Sequence, residues 1–530
     1  MVQTAGTIPA TLRATAAAHP DREALVDGDV RLSYCKLDGA VIDTVRGLIA
    51  LGVSPGDRVS VWAQNCWQWC VACLGVVAAG AVLVPVNTRF RGREAAHLVN
   101  NSDSVALFTT TGFLGADYPQ MLRAASPTPI TVPIIVMDGN ASDGDLTWEV
   151  FLRGGREVAE TDAQERMQAV SADDVSDVMY TSGTTGFPKG VVQTHRKNLL
   201  AMSGLAAALG LRAGDRNLVL APLFAQFGLR CGLFIDILTG ATTVLDSVFD
   251  GARVIDLIER ERITMLPGPP TILAALLSPL AGGRDLSSLR IAITGSTVIP
   301  EKLVMALIEN SVFDHVFTAY GLTEACGPVS VSSHNDSPAQ VATYAGRTLD
   351  HIELKVVDPA GTTLGPGQRG ELLVRAPTVM NGYLNDAEQT AAVIDTDGWL
   401  RTGDVGLISE DDHIQITGRV KEMVIVGGLN VYPTEVEASI REHPAVRDVA
   451  LVGVEDERLG EVGVAFIVSH PGARFDAGAL HTWCREVLAN YKVPRLFVEM
   501  AQLPLNSSLK VDKLALRDHA RRLGYTVPSR

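Results

Sequence analysis

Positive charge is in short supply in this sequence. It holds 45 Lys and Arg against 60 Asp and Glu, a formal net charge of −15. No cationic surplus exists to neutralise a phosphate backbone, which argues against broad nucleic-acid binding, and any anionic substrate must be met by local cations. Cysteine is scarce too: seven in 530 residues, an odd number scattered along the chain as Cys35, Cys66, Cys70, Cys73, Cys231, Cys326 and Cys484. That is unlike a disulfide framework and fits a reducing cytoplasm. Cys66, Cys70 and Cys73 share helical spacing, which a metal site could use, but they lie in an apolar run with no nearby histidine and read as core. Long apolar runs are also missing. The longest, 71–86, is shorter than the roughly 18 residues of a spanning helix and is broken by Gly75 and Gly80, so no membrane span is expected. The start, Met1-Val2-Gln3-Thr4-Ala5-Gly6, lacks the charged-then-apolar order of a signal peptide. Internal repeats and low-complexity tracts are absent as well.

A chain of 530 residues exceeds what one core organises, so at least two domains are expected. Residues 24–34 read as two short strands around the turn pair Asp27-Gly28. Residues 35–51 have helical apolar spacing and stop at Gly52. A strand over 58–62, a helix over 66–79, a strand over 81–86, a helix over 94–100 and a strand over 105–108 follow. Such alternation predicts a mainly parallel sheet with helices on its faces. A Pro-rich, then Asp/Gly-rich passage at 126–145 reads as a subdomain boundary. Strands over 218–220, 242–245, 263–266, 289–294 and 316–319 then predict a second, similar α/β half. Short strands over 353–357, 371–375 and 413–417 predict a small β-rich subdomain. After Arg419 the pattern becomes α+β, with helices over 435–442 and 480–488 and strands over 446–452 and 462–469.

The run Tyr180-Thr181-Ser182-Gly183-Thr184-Thr185-Gly186-Phe187-Pro188-Lys189-Gly190 follows the apparent end of a buried strand. It gathers hydroxyls, glycines and one lysine. Glycines let backbone N–H groups approach an anion, Ser and Thr add donors, and lysine adds charge, so the composition suits phosphate; a surface turn has the same ingredients. It is not a Walker loop, which needs Gly-Lys-Ser/Thr running directly into a helix, whereas here Pro188 precedes the lysine. The run resembles the phosphate loop of adenylate-forming enzymes, the superfamily of acyl-CoA synthetases, luciferases and peptide-synthetase adenylation domains.

Further segments, in family order within 33–510, carry the same resemblance. Tyr320-Gly321-Leu322-Thr323-Glu324 follows a strand end, where open α/β sheets place ligands. The resemblance implies that Tyr320 stacks on adenine beside Gly321, Thr323 bonds the α-phosphate, and Glu324 helps hold Mg²⁺; a π face, a hydroxyl and a hard carboxylate suit those tasks. Trp399-Leu400-Arg401-Thr402-Gly403-Asp404 is similar to the ribose-binding signature. An ionised Asp404 can accept two O–H donors from a vicinal diol, although the fragment alone also reads as a Gly-Asp turn. In 418–437 the resemblance implies that Arg419 reaches the ribose, Lys421 is a hinge, and Gly427 and Gly428, followed by Leu429, line the passage for the CoA arm. Near the end, Leu503-Pro504-Leu505-Asn506-Ser507-Ser508-Leu509-Lys510 matches the catalytic-lysine segment in part: Leu509 stands where the family has Gly, and Leu505 where Arg is common. Thr181, Ser182, Gly183, Thr184, Thr185, Gly186 and Lys189 are implied nucleotide contacts. Lys510, Thr181 and Glu324 are the implied catalytic groups.

Within Ala221-Pro222-Leu223-Phe224-Ala225-Gln226-Phe227-Gly228, Ala225 replaces a histidine that many acyl-CoA synthetases place beside the acyl pocket. Either the pocket is enlarged for a bulky or polycyclic acid, with Phe227 and Gly295, Ser296 and Thr297 as other walls, or a non-essential contact is lost. The resemblance implies a large N-terminal domain over 1–418, made of two Rossmann-like α/β subdomains and a small β-barrel-like subdomain. A mobile α+β domain over 419–530 completes the chain. It further implies a cytoplasmic acid–thiol ligase that uses ATP, Mg²⁺ and coenzyme A to convert a carboxylic acid to acyl-AMP and then acyl-CoA. Similarity is greatest to fatty-acid and steroid-catabolic ligases of actinobacteria, with medium-chain and aryl acids still open. A stand-alone adenylation enzyme that loads a carrier-protein thiol, a non-catalytic adenylate-binding protein and a luciferase-type oxygenase are the alternatives. A homodimer is compatible with the sequence, which singles out no interface.

Overall fold

The computed structural model describes residues 6–126, 131–181, 188–278, 282–295, 299–310, 312–426, 429–456, 458–506 and 510–523. Two compact units divide the chain: Met1–Leu354 with Val374–Leu400, and Lys355–Leu373 with Arg401–Arg530.

Among the described residues the first unit holds a nine-stranded and an eight-stranded sheet. In the larger sheet, His315–Leu322, Ile291–Gly295, Met265–Pro267, Arg216–Val219, Thr242–Leu245 and Glu23–Asp27 lie side by side and parallel. Antiparallel strands flank them: Gly327–Val331 on one side and Val30–Ser33 on the other. The smaller sheet runs Gly382–Tyr383, Lys189–Thr194, Val175–Thr181, Val82–Pro85, Arg58–Trp62, Ser104–Thr110, Ile134–Asp138, Leu146–Thr147. Its inner strands are near-continuous apolar runs, as strands covered on both faces must be; every residue of Val82–Pro85 is buried.

The expected elements of the first half are present within a few residues, with one correction. The passage at 126–145 is no boundary. Its Ile134-Ile135-Val136-Met137 core forms a strand parallel to Ser104–Thr110 and extends the same sheet; prolines and glycines merely bracket a β-branched run. Nor are the two halves consecutive in the chain. The N-terminal hairpin joins the later sheet, pairing Leu25 with Thr243 and Val26 with Val244.

Helix Trp67–Ala78 is buried over almost its whole circumference, so Cys70 and Cys73 are core residues, and burial pushes both thiols well above the ordinary range. It packs against helix Tyr34–Ala50 so closely that a Cβ on Gly75 would stand 2.6 Å from Thr44 Cβ. Overpacking of that kind costs about 1–3 kcal/mol.

The second unit contains a four-stranded sheet, in the order Glu353–Val357, Gly370–Arg375, Leu400–Ile408, Ile414–Arg419, and a five-stranded sheet around Val446–Asp456 and Gly460–Ser469. Strand alternation divides the core of the latter. Val449 and Leu451 meet Val436, Ile440, Leu480 and Cys484 of two helices, while Ala450 and Val452 meet Leu516 and Ala520 of the last helix, Lys513–Arg522.

Candidate active site

In the first unit, strands Val175–Thr181 and Lys189–Thr194 are antiparallel, with Thr181 opposite Lys189. Ser182, Gly183, Thr184, Thr185 and Gly186, between those paired ends, lie outside the described residues. Lys189 Nζ donates to Gln389 Oε1 at 2.7 Å and stands 5.1 Å from the centre of the Tyr383 ring. Tyr383 reaches this position because Gly382–Tyr383 adds to the edge of the same sheet, Tyr383 opposite Val191. Its hydroxyl donates to Glu324 Oε1 at 3.0 Å. Burial first, and then the Glu324 carboxylate, push the phenol well above its ordinary pKa. One tyrosine thus links the lysine of the glycine-rich loop to the acidic residue of the Tyr-Gly-x-Thr-Glu segment.

That segment closes strand His315–Leu322 and enters a 3₁₀ turn, Thr323–Ala325. Tyr320 is nearly buried. Gly321 has to be glycine, since a Cβ would lie 2.3 Å from the Gly327 carbonyl oxygen. The turn is pinned through its backbone: Gln193 Nε2 donates to the Thr323 carbonyl at 3.1 Å, and Met380 N–H to that of Glu324 at 2.8 Å.

Ala225 caps the short helix Gln226–Gly228, which continues into a π-helical turn, Leu229–Phe234. Ala225 and Phe227 are half-buried. Gly295 ends its strand where a Cβ would stand 2.9 Å from the Ala319 carbonyl oxygen, and Ser296 and Thr297 lie outside the described residues. Within the π-helical turn, Arg230 forms an ion pair with Asp177, both side chains 0% exposed.

The second unit gathers another set. Asp404 and Arg419 are cross-strand partners, so the Asp404 stretch lies on a strand rather than in a turn, and Arg419 Nε meets Asp404 Oδ1 at 2.9 Å. Asp404 N–H donates to Thr402 Oγ1 at 3.0 Å, fixing the carboxylate's approach. Lys510, 106 positions later in the chain, comes into the field of this pair. Desolvation by the surrounding groups lowers its pKa, Arg419 lowers it further, and Asp404 and Glu422 oppose them. Lys421 lies on the 3₁₀ turn Val420–Glu422. Its carbonyl accepts from Arg517, and neighbouring Glu422 pairs at 2.9 Å with Lys513, which also meets Glu437 at 3.0 Å. Gly427 and Gly428 are outside the described residues, and Leu429 begins a short strand, largely exposed.

Sequence reasoning missed Tyr383, Gln389, Asp177 and Arg230. The dipeptide Gly382-Tyr383 carries no signal by itself, and a charged residue inside each of two apolar runs, at Asp177 and Arg230, was the trace available.

Comparison with known proteins agrees with this geometry. Residues 12–384 match the family model of AMP-binding enzymes, and residues 435–510 that of the AMP-binding enzyme C-terminal domain. A Mycobacterium tuberculosis protein, 3-[(3aS,4S,7aS)-7a-methyl-1,5-dioxo-octahydro-1H-inden-4-yl]propanoyl:CoA ligase, is 42% identical over 523 residues, 98% of this chain and 100% of its own. Its namesake from Rhodococcus jostii is 41% identical over 533 residues, covering 98% and 100%. Among solved structures, an anthranilate CoA ligase in complex with anthranoyl-AMP superposes with a TM-score of 0.84 at 26% identity, covering 98% of each chain. No helix among the described residues is long and apolar enough to cross a membrane. The chain belongs to the AMP-binding enzyme family, among its acyl-CoA ligases.

Proposed function

We infer that this protein is an ATP-dependent, AMP-forming CoA ligase for a bulky, ring-bearing carboxylic acid of the steroid-derived propanoate class. The observation that carries the substrate class is the likeness, over the whole chain, to two ligases named for a bicyclic propanoate.

In the first step a carboxylate oxygen attacks the α-phosphorus of ATP and pyrophosphate leaves, giving acyl-AMP. Transfers of this kind depend on positioning and charge stabilisation. Thr181 and Lys189, with the intervening Ser182, Gly183, Thr184, Thr185 and Gly186, hold the β- and γ-phosphates. Tyr320 and Gly321 face adenine and Thr323 the α-phosphate. Asp404 and Arg419 take the ribose hydroxyls. Lys510 steadies the charge that develops between carboxylate and phosphate. Glu324 fits a magnesium ligand: a neutral hydroxyl presents its carboxylate, and magnesium is commonly held by one or two carboxylates plus substrate phosphates. Such an ion supplies charge compensation on the phosphates.

In the second step the part from residue 419 onward turns about Lys421, Lys510 withdraws, and Gly427, Gly428 and Leu429 bring in the CoA arm. The thiol sulfur attacks the acyl carbon, its proton is lost, and AMP departs. Ala225 and Phe227, with Gly295, Ser296 and Thr297, form the acyl wall. Seven unpaired cysteines are in keeping with a cytoplasmic site of action.

A CoA-dependent AMP-release screen over ring-bearing propanoates, straight-chain acids and aryl acids tests this reading. The ring-bearing propanoates should give the highest kcat/KM. A preference for straight chains would overturn the substrate class, and thioester formation on a carrier protein but not on CoA would overturn the acceptor.

A further inference from the structure

Arg230 has no exposed surface, yet it carries a permanent charge into the middle of the first unit. Its Nη2 meets Asp177 Oδ2 at 2.8 Å and its Nε donates to Asn198 Oδ1 at 2.6 Å. Asn198 Nδ2 closes the triangle, donating to Asp177 Oδ1 at 2.7 Å and to the Thr194 carbonyl at 3.1 Å. Cys326 Sγ contacts Asn198 Oδ1 at 3.6 Å.

Stability does not account for this arrangement. A buried ion pair is commonly no better than two well-packed apolar side chains of the same volume, whereas removing one partner alone is strongly destabilising. What the triangle supplies is geometry, because two of its corners, Asp177 and Arg230, and the Cys326 that touches the third, Asn198, lie on or next to elements of the site. Asp177 is four residues before Thr181 on the strand entering the glycine-rich loop. Cys326 follows Glu324 by two. Arg230 follows Phe227 by three, inside the π-helical turn Leu229–Phe234.

The short helix that feeds this turn presses on the loop before it: a Cβ at Gly228 would lie 2.2 Å from the Pro222 carbonyl oxygen. A π turn holds one residue more than an α turn. Reverting it would rotate the side chains upstream by about 100°, one residue's share of a 3.6-residue turn, and would displace Phe227 and Ala225. The planar guanidinium fork suits the task, since it binds the carboxylate of one element and the amide of another at fixed angles.

We propose that Arg230 is a specificity-determining positioning residue: clamped by Asp177 and Asn198, it holds the π turn and so sets the wall formed by Ala225 and Phe227 against the acyl group. This rests on the reading of that wall as the acyl pocket. Substrate choice is thereby tied to the strand of the nucleotide loop.

The test compares wild type, Arg230→Met and the double variant Arg230→Met/Asp177→Val. The readouts are melting temperature, KM for ATP, and the ratio of kcat/KM between the best ring-bearing and the best straight-chain acid. Arg230→Met alone should lower the melting temperature sharply. The double variant, with no charge left unpaired, should regain most of it. It should nevertheless show the acid ratio changed by about tenfold, the order expected for one altered pocket wall, with KM for ATP unchanged. Recovery of both melting temperature and wild-type ratio in the double variant would make the pair a packing element and overturn the proposal. A matching rise in KM for ATP would do the same. Because the readout is a change in ratio, a wild type that prefers straight-chain acids defeats the substrate reading without deciding this one.

Discussion

The two charged clusters of the candidate active site are held in opposite ways. Lys189 opens an inner strand and Glu324 lies in the 3₁₀ turn after another, joined through the Tyr383 ring and hydroxyl, in the unit that also buries the Arg230–Asp177 ion pair. Asp404, Arg419 and Lys510 lie at a strand end and on a late loop, with the Arg419 side chain 54% exposed. Asp177, on the strand that leads into the first cluster, is fully buried, whereas the exposed Arg419 side chain of the second can exchange its contact for water at little cost. Groups that serve both steps of the reaction belong on the first kind of support. Groups that must leave between steps belong on the second.

The largest expected effect breaks this contrast at its mobile end. Lys510→Ala should slow pyrophosphate exchange roughly a thousandfold, the scale of losing one charge-stabilising group, while CoA transfer from supplied acyl-AMP continues. Equal loss in both half-reactions would end the division between held and exchanged groups.

The next probes the rigid end. His195 follows the Lys189 strand, fully buried, and its Nδ1 accepts from the Ile8 N–H, so protonation there must break that bond. Burial lowers its pKa from 6.5 to about 4. Between those values the unfolded chain binds a proton that the folded chain refuses, so stability falls as pH drops through this window. The loss is at most about 3 kcal/mol by pH 4. Urea midpoints at pH 7 and pH 5 should show the decline, and His195→Gln should flatten it.

A smaller effect sharpens the comparison inside the rigid cluster. Tyr383→Phe keeps the ring beneath Lys189 and deletes the donor to Glu324, so kcat/KM for ATP at limiting magnesium should fall about tenfold, as for one hydrogen bond to a charged group. KM for the acid should not move. Direct titration with Mn²⁺–ATP should weaken in parallel, and Tyr383→Leu should weaken it further.

The smallest lies at the mobile end. Arg369 pairs with Glu435 at 3.2 Å and covers the Tyr432 ring, contacts between the small β sheet and the segment proposed to turn. Arg369→Ala should change stability by under about 1 kcal/mol and speed the CoA step relative to the first, measured by single-turnover kinetics.

Much of this was readable from residues alone. Apolar runs such as Val82–Pro85 and Ile291–Gly295 announce strands because strands buried on both faces need no polar alternation. The chemical segments announced themselves because phosphate, ribose and cation chemistry each restrict residue type. What stayed hidden is long-range. Glu324 meets Tyr383 across 59 positions and Lys189 meets Gln389 across 200, through strand pairings that local spacing does not encode. The strand Ile134–Asp138 was masked by its bracketing prolines and glycines, which punctuate loops and short strands alike.

The earliest hairpin has a further consequence. Glu23–Asp27 finds its parallel neighbour in Thr242–Leu245, which leaves the ribosome much later, about 10–40 s at 5–20 residues per second. Until then an apolar ribbon from the beginning of the chain waits without a partner. Assembly therefore cannot finish one lobe before starting the other, and newborn chains should lean on holding chaperones during that interval.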